Sequence, residues 1–447
     1  MATMQATKIT PDLVHKVIGK NMLADGFDLV VDLDKSRGAY IHDSWKNRDY
    51  VDFFSYFASA PLGMNHPKML EPEFLAKLQR AALHKVSNSD LYTVEMAEFV
   101  DTFSRLVLPE YLHYLFFVEG GALAVENALK VAFDWKVRKN FRKGHVRERG
   151  HQIIHFREAF HGRSGYTMSL TNTDPTKTDL YPKFHWPRIL NPKLSFPVTP
   201  EILEQVLRDE ELALAQIRQA LHDNPDDIAA LIIEPIQGEG GDNHFRPEFL
   251  QKLREITLEE DILFIMDEIQ TGIGITGKMW AHQHLGVQPD ILSFGKKTQI
   301  CGIAVSTRVD DVPDNVFHTA SRINSTWGGN LVDMVRSTRY LEIIHEDRLV
   351  ENARVQGEFL LQRIAEFTGK YPGLLSNPRG RGMFAAFTVR DHKSRNELLR
   401  RCREDKAVIA LPCGPVSIRF RPPLDIDRPA LEEGLGRMEE AITEFVG

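Results

Sequence analysis

The sequence predicts an α/β protein built on a mainly parallel β-sheet with helices on both faces. Short apolar segments of strand length alternate along the chain with helical patterns, an order that is typical of parallel sheets. The chain has 447 residues, which is enough for one large domain and an appended smaller lobe. Its composition, 43% hydrophobic and 26% charged, is that of an ordinary globular protein.

The first strand–helix unit of the predicted sheet is an apolar strand at residues 114–118 followed by a helical pattern at residues 122–138. Further strands are predicted where apolar residues run together over strand length between turn signals. They cover residues 151–156, 229–234, 262–267 and 290–294. Because helices cover both faces of a parallel sheet, we expect these strands to be buried.

The two ends of the chain contain shorter elements. Residues 28–33 and 39–54 predict short strands with turns, and residues 334–371 predict a long helix. Strands are then predicted at 382–389, 408–409 and 417–420, and an amphipathic helix at 428–445. We expect both ends to form one smaller lobe, with residues 1–59 as its N-terminal segment, 60–325 as the large domain and 326–447 as its C-terminal part.

Charge and cysteine content argue against several classes of protein. The 55 Lys and Arg residues against 62 Asp and Glu residues leave a net charge of −7, which does not favour binding to nucleic acid or anionic lipid. Three cysteines without ligand-like spacing predict neither a disulfide framework nor a metal site. Charged residues interrupt the first 22 residues, and no uncharged run of membrane-spanning length follows, so we expect a cytoplasmic protein.

Two glycines follow the strand at 114–118. Gly120 and Gly121 stand directly before the helix that begins near Ala122. In this arrangement free backbone N–H groups and the positive end of the helix can face an anion such as a phosphate. A tight turn without a ligand is the alternative interpretation of this feature taken alone.

An acidic residue and a pair of lysines follow two other strands. Asp267 ends the strand at 262–267, and Lys296 and Lys297 follow the strand at 290–294. Ligands of open α/β sheets bind at the carboxyl ends of the strands, where a buried lysine has a lowered pKa and can attack a carbonyl. The alternatives are a structural aspartate and solvated lysines.

One ligand would use all three features together. A phosphate would lie at the first site, a protonated ring nitrogen opposite Asp267, and an aldehyde on a lysine. These are the parts of pyridoxal 5′-phosphate. The glycine fingerprint of a dinucleotide-binding protein does not occur early in the chain.

The sequence resembles the fold-type I class III (ω-) aminotransferases over nearly its whole length. This likeness is far more specific than any one motif because the matching segments occur in the family's order. The segments are 52–67 (DFFSYFASAPLGMNHP), 119–130 (EGGALAVENALK), 160–163 (FHGR), 234–241 (EPIQGEGG), 267–272 (DEIQTG), 295–296 (GK), 325–330 (STWGGN) and 419–423 (RFRPP).

The resemblance implies roles around the cofactor ring. Lys296 would form the Schiff base, with Lys297 as a minor alternative, and Asp267 would pair with the pyridinium nitrogen so that the ring can accept electrons. Phe160 and Ile269 would cover the two faces of the ring. In addition, Gln270 would reach the ring hydroxyl.

The resemblance also implies how the phosphate is bound. Main-chain groups of Gly121 and Ala122 would hold it from one subunit, and Ser325 and Thr326 would hold it from the neighbour. A site completed in this way implies a homodimer with shared active sites. Many relatives carry Ser or Thr at the position of Gly120, so one hydroxyl contact with the phosphate is missing here.

Two arginines and a glutamate imply the substrates. By resemblance, Arg163 and Arg419 would hold carboxylates, which the planar guanidinium binds bidentately. Glu239 would neutralise Arg419 while an ω-amine substrate is bound and swing away when glutamate enters, which frees Arg419 for the α-carboxylate. Phe57, near the pocket wall, and Asn324, which could contact an α-amino group, are further substrate-binding candidates, although packing against the cofactor loop is an equal alternative for both.

Local segments within the family predict the amino donor. The Lys-Lys pair and residues 184–187 (FHWP), 240–249 (GGDNHFRPEF) and 324–330 (NSTWGGN) look most like L-lysine 6-aminotransferases. We therefore expect transfer of the ε-amino group of L-lysine to 2-oxoglutarate, which gives 2-aminoadipate 6-semialdehyde and L-glutamate. A 4-aminobutyrate aminotransferase is the first alternative and an ornithine aminotransferase the second. A decarboxylase or aminomutase on the same fold and a non-enzymatic cofactor-binding regulator are more distant ones.

Overall fold

The computed structural model describes residues 8–447. In this part of the chain the strands are β1 Tyr40–Asp43, β2 Arg48–Asp52, β3 Tyr114–Val118, β4 Gln152–Phe156, β5 Arg188–Ile189, β6 Ile228–Ile233, β7 Ile236–Gln237, β8 Asn243–His244, β9 Leu263–Asp267, β10 Ile291–Phe294, β11 Cys301–Val305, β12 Leu375–Arg381, β13 Phe384–Val389, β14 Val408–Ile409, β15 Leu411–Cys413 and β16 Ser417–Phe420. The helical segments are α1 Val14–Ile18, α2 Ser55–Ala58, α3 Pro72–Ala82, α4 Val94–Leu106, α5 Gly121–Arg142, α6 Thr167–Leu170, α7 Pro175–Thr178, α8 Pro200–Asp223, α9 Pro247–Glu259, α10 Leu331–Glu346, α11 Leu349–Lys370, α12 His392–Glu404 and α13 Arg428–Val446.

A seven-stranded sheet forms the centre of the molecule. Its strand order is β3-β11-β10-β9-β6-β4-β5, and β11 runs antiparallel to both of its neighbours. The pairs from β10 to β5 are parallel. The predicted α/β class is therefore confirmed, and the five predicted strands of this sheet match β3, β4, β6, β9 and β10 to within a residue at each end.

Strand β9 shows why these strands are continuous apolar runs. Phe264 and Met266 face one hydrophobic cluster, whereas Leu263 and Ile265 face another cluster on the opposite side of the sheet. Successive side chains of a strand point to opposite faces. Because both faces are covered, every position of the strand is buried, and no alternation of polar and apolar residues remains.

Strand β11 was not predicted. Residues 301–305 follow the lysine pair as a short apolar run, which periodicity alone cannot assign to a strand or a buried helix. In the structure the run pairs with β3, with Cys301 opposite Val118. This pairing places the segment after Lys296 beside the segment that leads into helix α5.

Two predictions at the chain ends were wrong. The single helix expected at 334–371 is two helices, α10 and α11, separated at Arg348, whose φ is 53°. No proline or glycine marks this break in the sequence, since a non-glycine residue takes the left-handed conformation there. Residues 28–33 form no strand and contribute only a single bridge between Val31 and Asp43. Two backbone hydrogen bonds make this bridge, from Asp32 N to His42 O and from Ser44 N to Val30 O. The ladder does not continue, because the next N–H, that of Val30, donates to the carboxylate of Asp43 instead.

The two ends of the chain meet in one small sheet. Strand β14 pairs in parallel with β2, and β2 pairs with β1. The Val51 N–H donates to Ala407 O at 2.9 Å. A separate antiparallel sheet has the order β12-β13-β16-β15, and it brings Arg419 on β16 towards the central sheet. The domain division at residues 60 and 325 stays a prediction.

No helix among residues 8–447 is long and apolar enough to cross a membrane. In the same part of the chain no group of three His, Cys, Asp or Glu side chains is placed to hold a metal ion. The three cysteines, Cys301, Cys402 and Cys413, are buried free thiols.

Candidate active site

A cavity of about 830 Å³ lies at the carboxyl ends of the parallel strands. Asp267 is the last residue of β9, and Lys296 is the second residue after the end of β10. Ten of the site residues predicted from the sequence line this cavity: Phe57, Gly121, Ala122, Phe160, Arg163, Glu239, Asp267, Ile269, Gln270 and Lys296.

One end of the cavity is the start of helix α5. Gly120 has φ 98° and no side chain caps the helix, so the first N–H groups remain available to an anion. A Cβ on Gly162 would lie 2.6 Å from Ala122 Cβ, at a φ of 112°. The glycine therefore allows the 160–163 segment to pack directly against the helix start.

Asp267 lies on the floor of the cavity and is held by two hydrogen bonds. Its Oδ2 is 2.8 Å from His161 Nδ1, and its Oδ1 accepts from Ile269 N at 3.1 Å. Both Asp267 and His161 are buried. The pairing of His161 with Asp267 was missed because 106 residues separate the two.

Lys296 and Lys297 face different surroundings. Lys296 has φ 53° and donates from Nζ to Phe57 O at 2.9 Å. Burial, reinforced by the positive charge of Arg419, lowers the pKa of Lys296 to about 8. Lys297 is buried and donates to Gln270 O at 2.8 Å, and burial lowers its pKa well below the ordinary lysine value.

The carbonyl that Lys296 contacts belongs to a left-handed turn. Residues 55–58 all have positive φ, from 36° to 63°, which is costly for residues other than glycine. The buried carboxylate of Asp52 holds the turn, because its Oδ1 accepts from Phe54 N at 2.8 Å and from Ser55 N at 2.7 Å. Burial raises the pKa of Asp52 to about 6.

Glu239 lines the cavity and contacts two cations. Its Oε2 lies 2.7 Å from Arg419 Nη2, and its Oε1 lies 2.6 Å from Lys177 Nζ. Although burial opposes ionisation, Arg419 and Lys177 together lower the pKa of Glu239 to about 2. Arg163 is exposed and lines the same cavity, so a carboxylate can reach it without displacing Glu239.

Gln270 is oriented by a second arginine. Its Oε1 accepts from Arg421 Nη2 at 2.9 Å and from Arg421 Nε at 3.1 Å. Arg421 in turn makes a fully buried ion pair with Asp242. Arg421 and Asp242 were missed as site residues, although the spacing of Arg419 and Arg421 was a usable signal, since residues two apart in an extended segment point to the same side.

The segment 324–327 does not line the cavity of its own chain. Asn324 and Thr326 are exposed. Backbone contacts hold the segment: Asn88 N donates to Trp327 O at 3.1 Å, and Ser87 Oγ donates to Thr326 O at 2.5 Å. The single chain therefore brings together all the predicted site residues except Asn324, Ser325 and Thr326, since Arg419 contacts Glu239 at the cavity wall.

The aminotransferase class-III family model matches residues 22–442. This chain belongs to the class III aminotransferases. An L-lysine-epsilon aminotransferase of Mycobacterium tuberculosis is 51% identical over 97% of this chain and 96% of its own length. A solved lysine aminotransferase of M. tuberculosis has a TM-score of 0.95 at 50% identity, covering 98% of this chain and 100% of that one. The human mitochondrial 4-aminobutyrate aminotransferase is 30% identical over 90% of this chain and 82% of its own length.

The cofactor of this class III aminotransferase is pyridoxal 5′-phosphate, as the sequence predicted. The cavity fits that molecule. Apart from the adjoining backbone, no atom comes within 4 Å of the position that a Cβ on Gly120 would take, which leaves room for a phosphate at the uncapped helix start. A buried carboxylate, Asp267, and a lysine of lowered pKa, Lys296, line the same cavity.

Proposed function

We propose that this aminotransferase moves the ε-amino group of L-lysine to 2-oxoglutarate, with 2-aminoadipate 6-semialdehyde and L-glutamate as products. The observation that carries the proposal is the likeness to the L-lysine-epsilon aminotransferase of M. tuberculosis, at 51% identity, against 30% for the human 4-aminobutyrate enzyme. The two-arginine cavity with Glu239 supports a reaction between one monocarboxylate and one dicarboxylate substrate.

The residues around the cavity floor would hold the cofactor ring. Asp267, oriented by His161, would keep the ring nitrogen protonated, while Phe160 and Ile269 would flank the ring. Gln270 would face the ring hydroxyl. When bound, the cofactor supplies an aldehyde for the substrate amine and a ring that accepts the electrons of the reacting carbon.

Lys296 would do the proton chemistry. Its Nζ already lies in the cavity, and its lowered pKa of about 8 leaves part of the amine neutral at physiological pH. A neutral amine can attack a carbonyl and can accept a proton. The Lys296 amine would therefore first bind the cofactor and, once released by the substrate, carry the proton away from the reacting substrate carbon.

The carboxylate end would serve both substrates in turn. While L-lysine is bound, Glu239 would stay on Arg419, and Arg163 would hold the distant α-carboxylate. 2-Oxoglutarate has a carboxylate at each end, so its α-carboxylate would take Arg419 and displace Glu239. Since the pKa of Glu239 is about 2, the residue stays charged at physiological pH and would respond to the substrate rather than to protons.

The remaining site residues would come from a second subunit. Gly121 and Ala122 would bind the phosphate through N–H groups of their own chain, and Ser325 and Thr326 of the partner would complete that site. Asn324, which lies outside the cavity of its own chain, would reach the α-amino group of L-lysine in the same way. A homodimer with shared active sites and a cytoplasmic location are parts of this proposal.

Comparison of three amino donors tests the proposed substrate. L-Lysine carries its carboxylate two methylenes further from the reacting amine than 4-aminobutyrate does, and one methylene further than L-ornithine. One methylene is worth about 1–3 kcal/mol, or roughly 10- to 200-fold in kcat/KM. We expect kcat/KM with 2-oxoglutarate to be highest for L-lysine, with weaker use of L-ornithine. A preference for 4-aminobutyrate would contradict the proposal. The Lys296→Ala variant is the negative control, because it should show no turnover with any of the three donors.

A further inference from the structure

We propose that Lys177 receives the carboxylate of Glu239 when the α-carboxylate of 2-oxoglutarate occupies Arg419. Lys177 would thus be a positioning residue that acts through Glu239 and favours the dicarboxylate substrate. The inference rests on the proposed function, because it concerns the alternation between a monocarboxylate and a dicarboxylate in one cavity.

The contacts of Glu239 are divided between its two oxygens. Oε2 faces Arg419 at 2.7 Å, and Oε1 faces Lys177 at 2.6 Å. The Arg419 side chain is 2% exposed and that of Lys177 is 31% exposed. Glu239 therefore lies between a buried cation, Arg419, and a partly exposed cation, Lys177.

The two substrates differ in their number of carboxylates, and this difference determines whether Glu239 needs Lys177. L-Lysine brings one carboxylate, which Arg163 can hold, so Glu239 can keep both of its partners. 2-Oxoglutarate brings two carboxylates, and the second one takes Arg419 from Glu239. A partly buried carboxylate left without a partner is costly. Lys177 removes that cost, because Glu239 can turn its carboxylate about the Oε1 contact and remain paired.

Lys177 is held in place for this role. It lies in helix α7, where Asp174 Oδ1 accepts from Thr176 N at 3.0 Å, and Lys183 Nζ donates to the carbonyl of Thr178 at the other end of the helix. The neighbouring Arg421 is already paired with buried Asp242. Among the described cations that contact Glu239, Lys177 is the one that remains after Arg419 is taken.

Steady-state kinetics of the holoenzyme test the proposal. In Lys177→Met we expect the ratio of KM for 2-oxoglutarate to KM for L-lysine to rise about tenfold, because each factor of ten corresponds to about 1.4 kcal/mol, the order of a charge-assisted hydrogen bond. Lys177→Arg should restore the ratio. Lys193→Met is the matched control, since Lys193 pairs with Glu158 at 2.5 Å and neither residue lines the cavity.

Binding of unreactive acids provides a measurement that does not depend on turnover. Glutarate has two carboxylates at the spacing of 2-oxoglutarate, and hexanoate has one. Titration calorimetry of the holoenzyme should show that Lys177→Met raises the ratio of the glutarate to the hexanoate dissociation constant about tenfold. An equal loss for both acids would overturn the proposal, because it would indicate a structural defect.

The Glu239→Ala background separates positioning from direct contact with substrate. Without Glu239 there is no carboxylate for Lys177 to pair with, so Lys177→Met should then leave the ratio of the glutarate to the hexanoate dissociation constant unchanged. If the tenfold effect persists there, Lys177 binds the substrate itself and the proposal is wrong. Glutarate and hexanoate are not amino donors, so their binding does not depend on which donor the enzyme uses. A wild-type preference for 4-aminobutyrate would contradict L-lysine as the donor, but the binding ratios would still test the role of Lys177.

Discussion

Lys296 and Lys297 are adjacent in sequence, yet the fold gives them opposite surroundings. The left-handed conformation of Lys296, with φ 53°, directs its amine to Phe57 O in the cavity. Lys297 is directed into the protein, where it donates to Gln270 O and Ala58 O at 2.8 and 3.3 Å. Both of these hydrogen bonds go to backbone carbonyls and neither goes to a carboxylate. A buried amine is stable in such surroundings only if its positive charge is suppressed.

We predict that Lys296 of the cofactor-free protein captures pyridoxal phosphate with a pH midpoint near 8. The neutral amine is the nucleophile, and the pKa of Lys296 is lowered to about 8, so the rate should rise with pH through that value and level off above it. Stopped-flow absorbance across a pH series measures the midpoint. An ordinary exposed lysine would still be gaining reactivity near pH 10.

Two variants make this prediction specific. Lys296→Ala should abolish covalent capture and steady turnover, whereas Lys297→Met should still capture the cofactor covalently. After borohydride reduction, peptide mass spectrometry should find the pyridoxyl group on Lys296. A label on Lys297 would refute the assignment.

At the scale of elements, the site depends on how the 160–163 segment packs against the start of helix α5. Gly162 has φ 112°, and a Cβ there would lie 2.6 Å from Ala122 Cβ, far inside van der Waals contact. Ala122 is also the residue whose N–H is proposed to bind the phosphate. A shift of this junction would therefore act on cofactor binding as well as on stability.

We predict that Gly162→Ala destabilises the protein by about 2–5 kcal/mol, the sum of roughly 1–2 kcal/mol for the positive φ and 1–3 kcal/mol for overpacking. Urea unfolding of the cofactor-free form measures the stability, and titration measures weaker binding of pyridoxal phosphate. Gly144→Ala is the matched control, because Gly144 has φ 94° with nothing within 4 Å of its Cβ position. Equal effects of the two variants would contradict the role of the contact with Ala122.

The whole molecule presents the segment 324–327 on its outside. Trp327 is 42% exposed, and Lys85 Nζ lies 3.8 Å from its ring centroid. Asn324 and Thr326 beside it are exposed as well. A segment with an exposed tryptophan and polar neighbours is suited to contact another subunit, which agrees with the proposal that it completes the partner's phosphate site.

We predict that two defective variants restore activity when their subunits are exchanged. Lys296→Ala removes the catalytic amine, and Thr326→Asp places a negative charge where the partner's phosphate would bind. A mixed dimer then has one site with both native residues, so statistical mixing should recover about a quarter of the wild-type activity in a closed dimer. Activity that stays at the sum of the unmixed variants, or a fully active monomer in sedimentation, would contradict shared sites.

The amino-acid order determined the central sheet, because strands buried on both faces must be apolar throughout and stand out between helices. It also placed Asp267 and Lys296 at strand ends that a parallel sheet brings to one edge. The family motifs predicted the cofactor and the pair of Glu239 and Arg419. The roles of the individual site residues and the domain division remain predictions.

Tertiary structure decided the features that depend on contacts between distant segments. Lys177 lies 62 positions from Glu239, and Asp242 lies 179 positions from Arg421, so no local pattern reveals either pair. Strand β11 is defined by its pairing with β3. The break between α10 and α11 is defined by the left-handed conformation of Arg348, and no glycine at that position indicates it in the sequence. Local sequence encodes periodicity and turns, but the ion-pair partner of a buried charge depends on which distant segments the fold brings together.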